Sequence, residues 1–337
     1  MGFDENEISE KAWGGTELTK RGLAKNIDPA LLDNFQIICS RVRDLDADKI
    51  RVYWIHDLPE DPECAKIRDA SYRDQFHQIV FTSEWQYQRF QAVLGIPYDN
   101  EKFIVLESGV APIEEHTKPT DKINLIYSST PQRGLALLLP VVDQLSKTYD
   151  NIHLHIFSSF KMYGWAEHDA QFEQLYKFAR EHTHMTYHEF SGENSNEEVR
   201  MALKQSHIFA YPSIWQETFC RSVVEAMSAK CLCVHPNFAA LPFTTGGLNI
   251  MYQGNSDHNK HINTFIRYLD TAIRMVKEEN DVMQPRLNFN KAYIDTLYSM
   301  ESISKKWNLN LNQLLQKYPT VDTRGKPAEM FRYNTGG

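Results

Sequence analysis

The chain has 337 residues, of which 42% are hydrophobic, 24% charged and 12% aromatic, with 15 glycines and 14 prolines. This composition excludes disordered and collagen-like architectures and fits two domains of ordinary size. Lys and Arg number 36 against 44 Asp and Glu, a formal charge of -8 that argues against a broad nucleic-acid-binding face.

The opening MGFDENEISE is polar and acidic, unlike a secretory leader, and no apolar run reaches the length of a membrane-spanning helix, so a cytoplasmic location is expected. Gly14 and Gly15 come next, ahead of Thr16, Glu17 and a helical pattern. Glycines there let the backbone approach a ligand, and the helix start offers amide donors. Short β-like runs follow at QIICS (36–40), RVYWI (51–55), QIVFT (78–82) and FIVL (103–106). Their alternation with polar and helical segments predicts a mostly parallel sheet covered by helices. Asp44, Asp46 and Asp48 form D-x-D-x-D, a metal-binding pattern, but in a polar linker after Arg41 and Arg43 a solvated loop accounts for it. His56 and Asp57 directly follow RVYWI, at a strand's carboxyl end, where an imidazole can donate to an oxyanion without a metal. Asp57, Glu60, Asp61 and Glu63, beside Pro59 and Pro62, read as solvated surface.

APIEEHTKPTDK (111–122) is polar and contains proline, so it reads as a linker. A second set of strands then begins: INLIYSS (123–129), HLHIFSS (153–159), MTYHEF (185–190), HIFAYPS (207–213) and CLCVHP (231–236), with helices expected over 133–149, 167–182, 195–205 and 219–229. Two consecutive α/β domains imply a cleft, with chemistry in the loops after the strands. Arg133 and Gly134 open a helix after LIYSS and place a cation beside amide donors; Lys161, and alternatively Arg221, are candidates for a second cation. His184, His188 and Glu189 alternate along a strand, which accounts for them without a metal. Helical spacing over 258–279, and again over 289–317 with Tyr293, Leu297 and Trp307, predicts packing helices. The polar segment from Tyr318 lacks a period and reads as a loosely attached tail. Five scattered cysteines suit reduced thiols, with Cys231 and Cys233 packing along an apolar stretch. The domain plan is thus 1–117, 118–288, helices over 289–317 packing back on the first domain, and a tail over 318–337.

The most informative stretch is YPSIWQETFCRSVVEAMSAKCLCVHP, in which seven residues separate Glu217 from Glu225. Eight helical steps turn through about 800°, an offset of about 80°, so the two acids can serve one elongated ligand at different points. Glu217 is expected just before a helix that begins near Thr218, its carboxylate free to enter the cleft. The amides of Thr218, Phe219 and Cys220, with the helix dipole, make an anion site suited to a diphosphate. On spacing alone, a dipole-favoured acid at 217 and a solvated Glu225 are the favoured reading.

This E-x7-E element, followed by EAM, a small-residue turn and a strand, resembles the retaining glycosyltransferases of family four. AWGGTELTKRGL (12–23), VYWIHDLPEDPE (52–63), IVFTSEW (79–85), LIYSSTPQRGLALLLPVV (125–142) and YPSIWQETF (211–219) occur in the order such enzymes use. The resemblance implies an α/β GT-B fold, two Rossmann-like domains facing a central cleft, here with a shortened N-terminal domain. It implies metal-independent, retaining transfer of a hexose from a nucleotide diphosphate sugar, a UDP-sugar ahead of a GDP-sugar, to an unidentified acceptor, with no cofactor besides the donor. By the same resemblance Glu217 lies near the donor sugar, Glu225 hydrogen-bonds the ribose, His56 touches the sugar or its phosphate, and Arg133 neutralises the diphosphate. The Gly14-Gly15 loop faces the diphosphate and the acceptor, although the strand that leads into this loop in the family has no counterpart pattern before Gly14. Two rival readings are a non-catalytic nucleotide-sugar or glycan-binding protein and a nucleic-acid base glucosyltransferase, the latter weakened by the charge. Neither nucleic acid nor a membrane span is expected, and the oligomeric state is not legible.

Overall fold

The computed structural model describes Phe3, residues 12–278 and residues 280–319. The rest of the opening MGFDENEISE, and the expected tail beyond Pro319, lie outside the described residues. The chain divides into two compact units, the first taking in Phe3, Thr16–Gly109 and residues 300–319, the second residues 12–15 and Val110–Ser299.

In the first unit β1 (Phe35–Cys39), β2 (Ile50–Ile55), β3 (Gln78–Phe81) and β4 (Phe103–Val105) lie in the order β1-β2-β3-β4, every pair parallel. Strands covered on both faces read as continuous apolar runs, and all four residues of β3 are buried. Phe3 forms a parallel bridge with Ile37 of β1. A residue ahead of Gly14 therefore does pair with the sheet, through a single bridge that has no period to read. Helix Glu84–Leu94 starts where Ser83 Oγ accepts the Gln86 N–H at 3.1 Å and stops at Gly95, φ 66°. Helix Met300–Lys317 completes this unit, burying Ile303, Trp307, Leu311 and Leu314 along one face. Trp307 meets Trp54 of β2 edge-on at 5.0 Å between ring centroids, and Asn310 Nδ2 donates to Gln78 Oε1 at 2.7 Å.

The second unit is a six-stranded sheet of β5 (Ile123–Ser128), β6 (Ile152–Phe157), β7 (Met185–His188), β8 (Ile208–Ala210), β9 (Leu232–Pro236) and β10 (Ile250–Tyr252). Its order is β10-β9-β8-β5-β6-β7, again all parallel. β10, three residues long, is too short to give a periodic signal. The helix expected over 133–149 spans Leu135–Ser146, because Gly134 at φ 141° ends a 3-10 turn, Pro131–Arg133, and a Cβ there would collide with the Pro212 carbonyl. The helix expected over 167–182 is α-helical only over Glu173–Glu181 and opens as a 3-10 turn, Ala166–Phe172. Within that turn Asp169 accepts from the Ser159 hydroxyl, the Phe160 N–H and the Tyr176 hydroxyl, which ties down the loop after β6.

The division between units falls at Gly109/Val110 and at Ser299/Met300, not at 117/118 and 288/289. Residues 111–118, the first part of the expected linker 111–122, are bound into the second unit. The Arg200 guanidinium donates to the carbonyls of Ala111 (2.8 Å) and Pro112 (3.0 Å), the Ile113 N–H to Ser228 Oγ (2.8 Å), and the Lys118 ammonium to the Ser206 carbonyl. Helix Asn280–Tyr298 stays with the same unit because Lys291 donates to the carbonyls of Ile113 and Ser228, and Asp295 accepts from the Ser228 hydroxyl. All five cysteines are buried free thiols. Among the described residues no helix is long and apolar enough to cross a membrane.

Candidate active site at the ends of β5 and β8

The chain runs outward through β5, β6 and β7, then returns to place β8 on the other side of β5. Such a reversal leaves a crevice at the carboxyl ends of the strands that flank it. Arg133 lies in the turn after β5 and Glu217 in the loop after β8. The loops are laced together, the Ile214 N–H donating to the Arg133 carbonyl at 3.1 Å. Within the second loop Ser213 Oγ accepts the Trp215 N–H, and the Glu217 N–H donates to the Trp215 carbonyl at 3.0 Å, which turns the chain back.

Glu217 is only 5% exposed. A buried carboxylate needs partners, and it has two: Arg133 Nη1 donates to Oε1 at 3.0 Å and Oε2 at 3.1 Å, and the hydroxyl of the fully buried Tyr211 donates to Oε1. The carboxylate expected to be free is thus held in place. Burial works against the charge of Arg133, but Glu217 and the neighbouring Tyr163, Tyr211 and Cys220 outweigh it and raise its pKa well above the ordinary value. Burial also raises the Tyr211 phenol well above its usual range, reinforced by Glu217, so this hydroxyl stays a donor.

The helix expected from Thr218 begins at Arg221, because Cys220 adopts a left-handed conformation, φ 75°, and interrupts it. Phe219 is buried edge-on against Tyr298, with centroids 5.1 Å apart, and its carbonyl accepts from the Thr244 hydroxyl. The Cys220 thiol is pushed well up by burial and then by Glu217, so it stays protonated. Arg221 occupies the first position of helix Arg221–Ser228, where the helix dipole disfavours a cation. Its compensation is Glu225, whose Oε1 accepts Arg221 Nη2 at 3.0 Å, both side chains being buried. Burial lowers the Arg221 pKa against the opposing pull of Glu225. The segment Thr218-Phe219-Cys220 therefore runs between two acid–base pairs, Arg133–Glu217 and Arg221–Glu225.

Gly15 rests on this second pair. A Cβ on it would come within 3.1 Å of Arg221 Cδ, and next to Gly14 the Trp13 N–H donates to the Met162 carbonyl at 2.7 Å. The glycine loop is thereby anchored to the loop after β6. Lys161 in that loop is half exposed, its ammonium 4.0 Å from Glu189. His56 belongs to the other unit, at the end of β2. Its N–H donates to Ser40 Oγ at 2.9 Å, its ring lies 4.2 Å from that of Trp54, and desolvation lowers its pKa to about 3, so it is neutral at pH 7. The acidic loop after it is ion-paired: Arg41 binds Asp57 (3.0 Å) and Asp61 (2.9 Å), Lys66 binds Glu63 (2.7 Å), and Arg89 binds Glu60. Asp46 accepts the Asp48 N–H at 2.8 Å, so part of the D-x-D-x-D segment caps its own turn.

The structure thus gathers Gly14, Gly15, Arg133, Glu217, Thr218, Phe219, Cys220 and Glu225 in one unit and adds two residues that sequence reasoning passed over or only noted. Tyr211 could have been suspected because a tyrosine in a buried strand run needs a partner for its hydroxyl. Arg221 was signalled by its charge, which opposes the helix dipole.

Residues 112–242 match the family described as Glycosyl transferases group 1. A glycosyltransferase from Rickettsia africae has a similar structure, with a TM-score of 0.64, 13% identity, and 92% of this chain and 84% of that one covered. The pneumococcal O-GlcNAc transferase GtfA, solved with UDP and GlcNAc, gives 0.62 and 11%, covering 89% of this chain and 60% of that chain. The chain therefore spans about three-fifths of GtfA's length. The α,α-trehalose 6-phosphate synthase of Burkholderia multivorans gives 0.63 and 12%, covering 90% and 75%. No curated protein matches the sequence. The fold is the two-Rossmann-domain GT-B architecture. The matched segment gives the class as a glycosyltransferase.

Proposed function

We propose that the chain is a retaining, metal-independent hexosyltransferase that takes a nucleotide diphosphate sugar, a UDP-sugar ahead of a GDP-sugar, as donor. The observation that carries this reading is the pair of partly buried guanidiniums, Arg133 and Arg221, each held by one buried glutamate of the E-x7-E element, on either side of a helix start. In the reaction an acceptor hydroxyl attacks the anomeric carbon as the C–O bond to the diphosphate breaks. The bonding electron pair goes to the diphosphate oxygen, which also receives the acceptor's proton. Arg133 and the helix-start amides stabilise the charge that develops there, as preorganised donors. Glu217 orients the sugar and Glu225 the ribose, and these roles, like that of the neutral His56, rest on the family resemblance. The GtfA structure was solved with UDP, which supports the base preference. Metal independence is proposed because these two cations can neutralise a diphosphate without a bound ion.

The test is thermal shift and calorimetry with UDP, GDP, ADP and their sugar conjugates, with and without EDTA, followed by NMR of the product's anomeric configuration. A bound nucleotide raises the melting temperature by mass action. Binding of UDP unaffected by EDTA but weakened in Glu225→Ala supports the reading; binding that requires a divalent ion and ignores Glu225 overturns it.

A further inference from the structure

β7 is the last strand of the six-stranded sheet, and β6 is its neighbour. Along β6 the residues alternate: Ile152, Leu154 and Ile156 are buried, while His153, His155 and Phe157 share the half-buried opposite face. On β7 Thr186 and His188 join that face. His155 stands in register with Thr186, so His188 is its diagonal neighbour, within reach of a long side chain. The two imidazoles meet there, His155 Nδ1 lying 3.1 Å from His188 Nε2. Phe157 stacks on the His188 ring with centroids 4.1 Å apart and planes 4° from parallel, which sets the orientation of that ring. His153 is turned aside onto the Thr186 hydroxyl at 2.8 Å.

Two neutral imidazoles facing each other can share a proton as a hydrogen bond or a cation as ligands. Both are neutral at pH 7. Burial lowers the pKa of His155 to about 4, with His153, His188 and Lys122 adding to the effect, and burial lowers that of His188 against the opposing charge of Glu198. A metal ion therefore meets little competition from protons at this pair. Two nitrogens 3.1 Å apart, each about 2.0–2.1 Å from a common Zn²⁺, subtend about 95–102° at the ion, between the square-planar and the tetrahedral angle. We propose that His155 and His188 chelate a divalent first-row transition metal ion that clamps the edge strand β7 to β6. Among the described residues no third His, Cys, Asp or Glu joins the pair, so water completes the coordination. On binding, the proton of the hydrogen bond moves to the outer nitrogen of its own ring, His155 Nε2 or His188 Nδ1. The chelate joins neighbouring strands, which is why the alternation of His184, His188 and Glu189 along β7 gave no sign of it. It also braces the loop after β6, where the Ser158 carbonyl accepts the hydroxyl of Tyr187 of β7 at 2.9 Å. The proposal stands or falls independently of the transferase reading.

The experiment titrates the untagged full chain with Zn²⁺ alone at neutral pH, by calorimetry. Wild type, His155→Gln and His188→Gln are compared with His258→Gln, a control at an exposed histidine on another element. One ion per chain is expected to bind wild type and the control with a micromolar Kd, and at least about tenfold more weakly in His155→Gln and in His188→Gln. Zn²⁺ should raise the melting temperature of wild type by mass action and leave that of these two variants nearly unchanged. X-ray absorption on the Zn²⁺-loaded wild type should show two imidazoles bound to the ion, a readout that does not depend on whether either variant folds. The proposal is overturned if Zn²⁺ binds wild type only at millimolar concentration, if binding survives both substitutions, as it would for an ion held adventitiously by other histidines, or if the absorption spectrum shows fewer than two imidazoles.

Discussion

Arg133 and Glu217 lie 84 residues apart in sequence yet share a two-oxygen contact, 3.0 Å and 3.1 Å from one guanidinium nitrogen, at the ends of the adjacent strands β5 and β8. Removing one partner of a buried pair strands the other's charge, at a cost of about 3 kcal/mol. Arg133→Met should lower the urea-unfolding stability by that order, and Arg133→Met combined with Glu217→Gln should recover part of the loss. A double-variant loss equal to the sum of the two single losses would show that the pair is not coupled.

The second pair makes a prediction about binding. Arg221 is held by Glu225, so the two should act as one unit toward a nucleoside diphosphate. Arg221→Ala and Glu225→Ala should each weaken UDP binding about tenfold, and the double variant should lose clearly less than the two losses combined. Additive losses, measured by calorimetry, would mean that Glu225 acts on the ligand independently of Arg221.

Acid should unfold this protein through its buried histidines. Burial lowers the pKa of His155, His207 and His235 to about 4 and of His56 to about 3. In the unfolded chain each takes up its proton near the ordinary value of about 6.5. The unfolded state therefore binds more protons as pH falls through this window, and stability present above it is progressively lost toward pH 4. For the fully buried His235 the loss near pH 5 is about 1–2 kcal/mol. Urea midpoints measured from neutral pH downward should fall, and the fall should be shallower in His235→Gln. A profile flat to pH 4 would contradict this.

Cys220 bears a conformational cost that a glycine would not. Its left-handed backbone, φ 75°, costs a residue with a Cβ about 1–2 kcal/mol. Cys220→Gly removes that strain while losing the packing of a buried sulfur, whereas Cys220→Ala loses the sulfur and keeps the strain. Glycine should therefore be the better tolerated replacement, with the higher melting temperature; the reverse order would mean that no strain is stored there.

The strands were legible because parallel strands buried on both faces announce themselves as apolar runs, as in QIVF and INLIYS. Hydrophobic spacing likewise brought out Trp307 and its helix. The break at Ser299 carries no proline or glycine, so nothing local marked it. Neither did the sequence of residues 111–118 show that Arg200 and Ser228 would hold them, because a polar, proline-containing stretch looks alike whether solvated or docked. At the site, the E-x7-E spacing pointed to both glutamates but not to their partners. Glu217's arginine comes from another strand, and a pairing between distant loops leaves no periodicity to read.

The two crossings between the units lie side by side. Val110 pairs with Ser299 in a parallel bridge, and a Cβ on Gly109 would stand 3.1 Å from the Met300 Cα. Apart from residues 12–15, the second unit is thus one uninterrupted stretch of chain whose ends meet. Topologically it is an insertion. Joining Gly109 to Met300 would leave no gap to span and almost no loop-closure entropy to supply, so a gene lacking codons 110–299 would still encode the whole first sheet together with its closing helix.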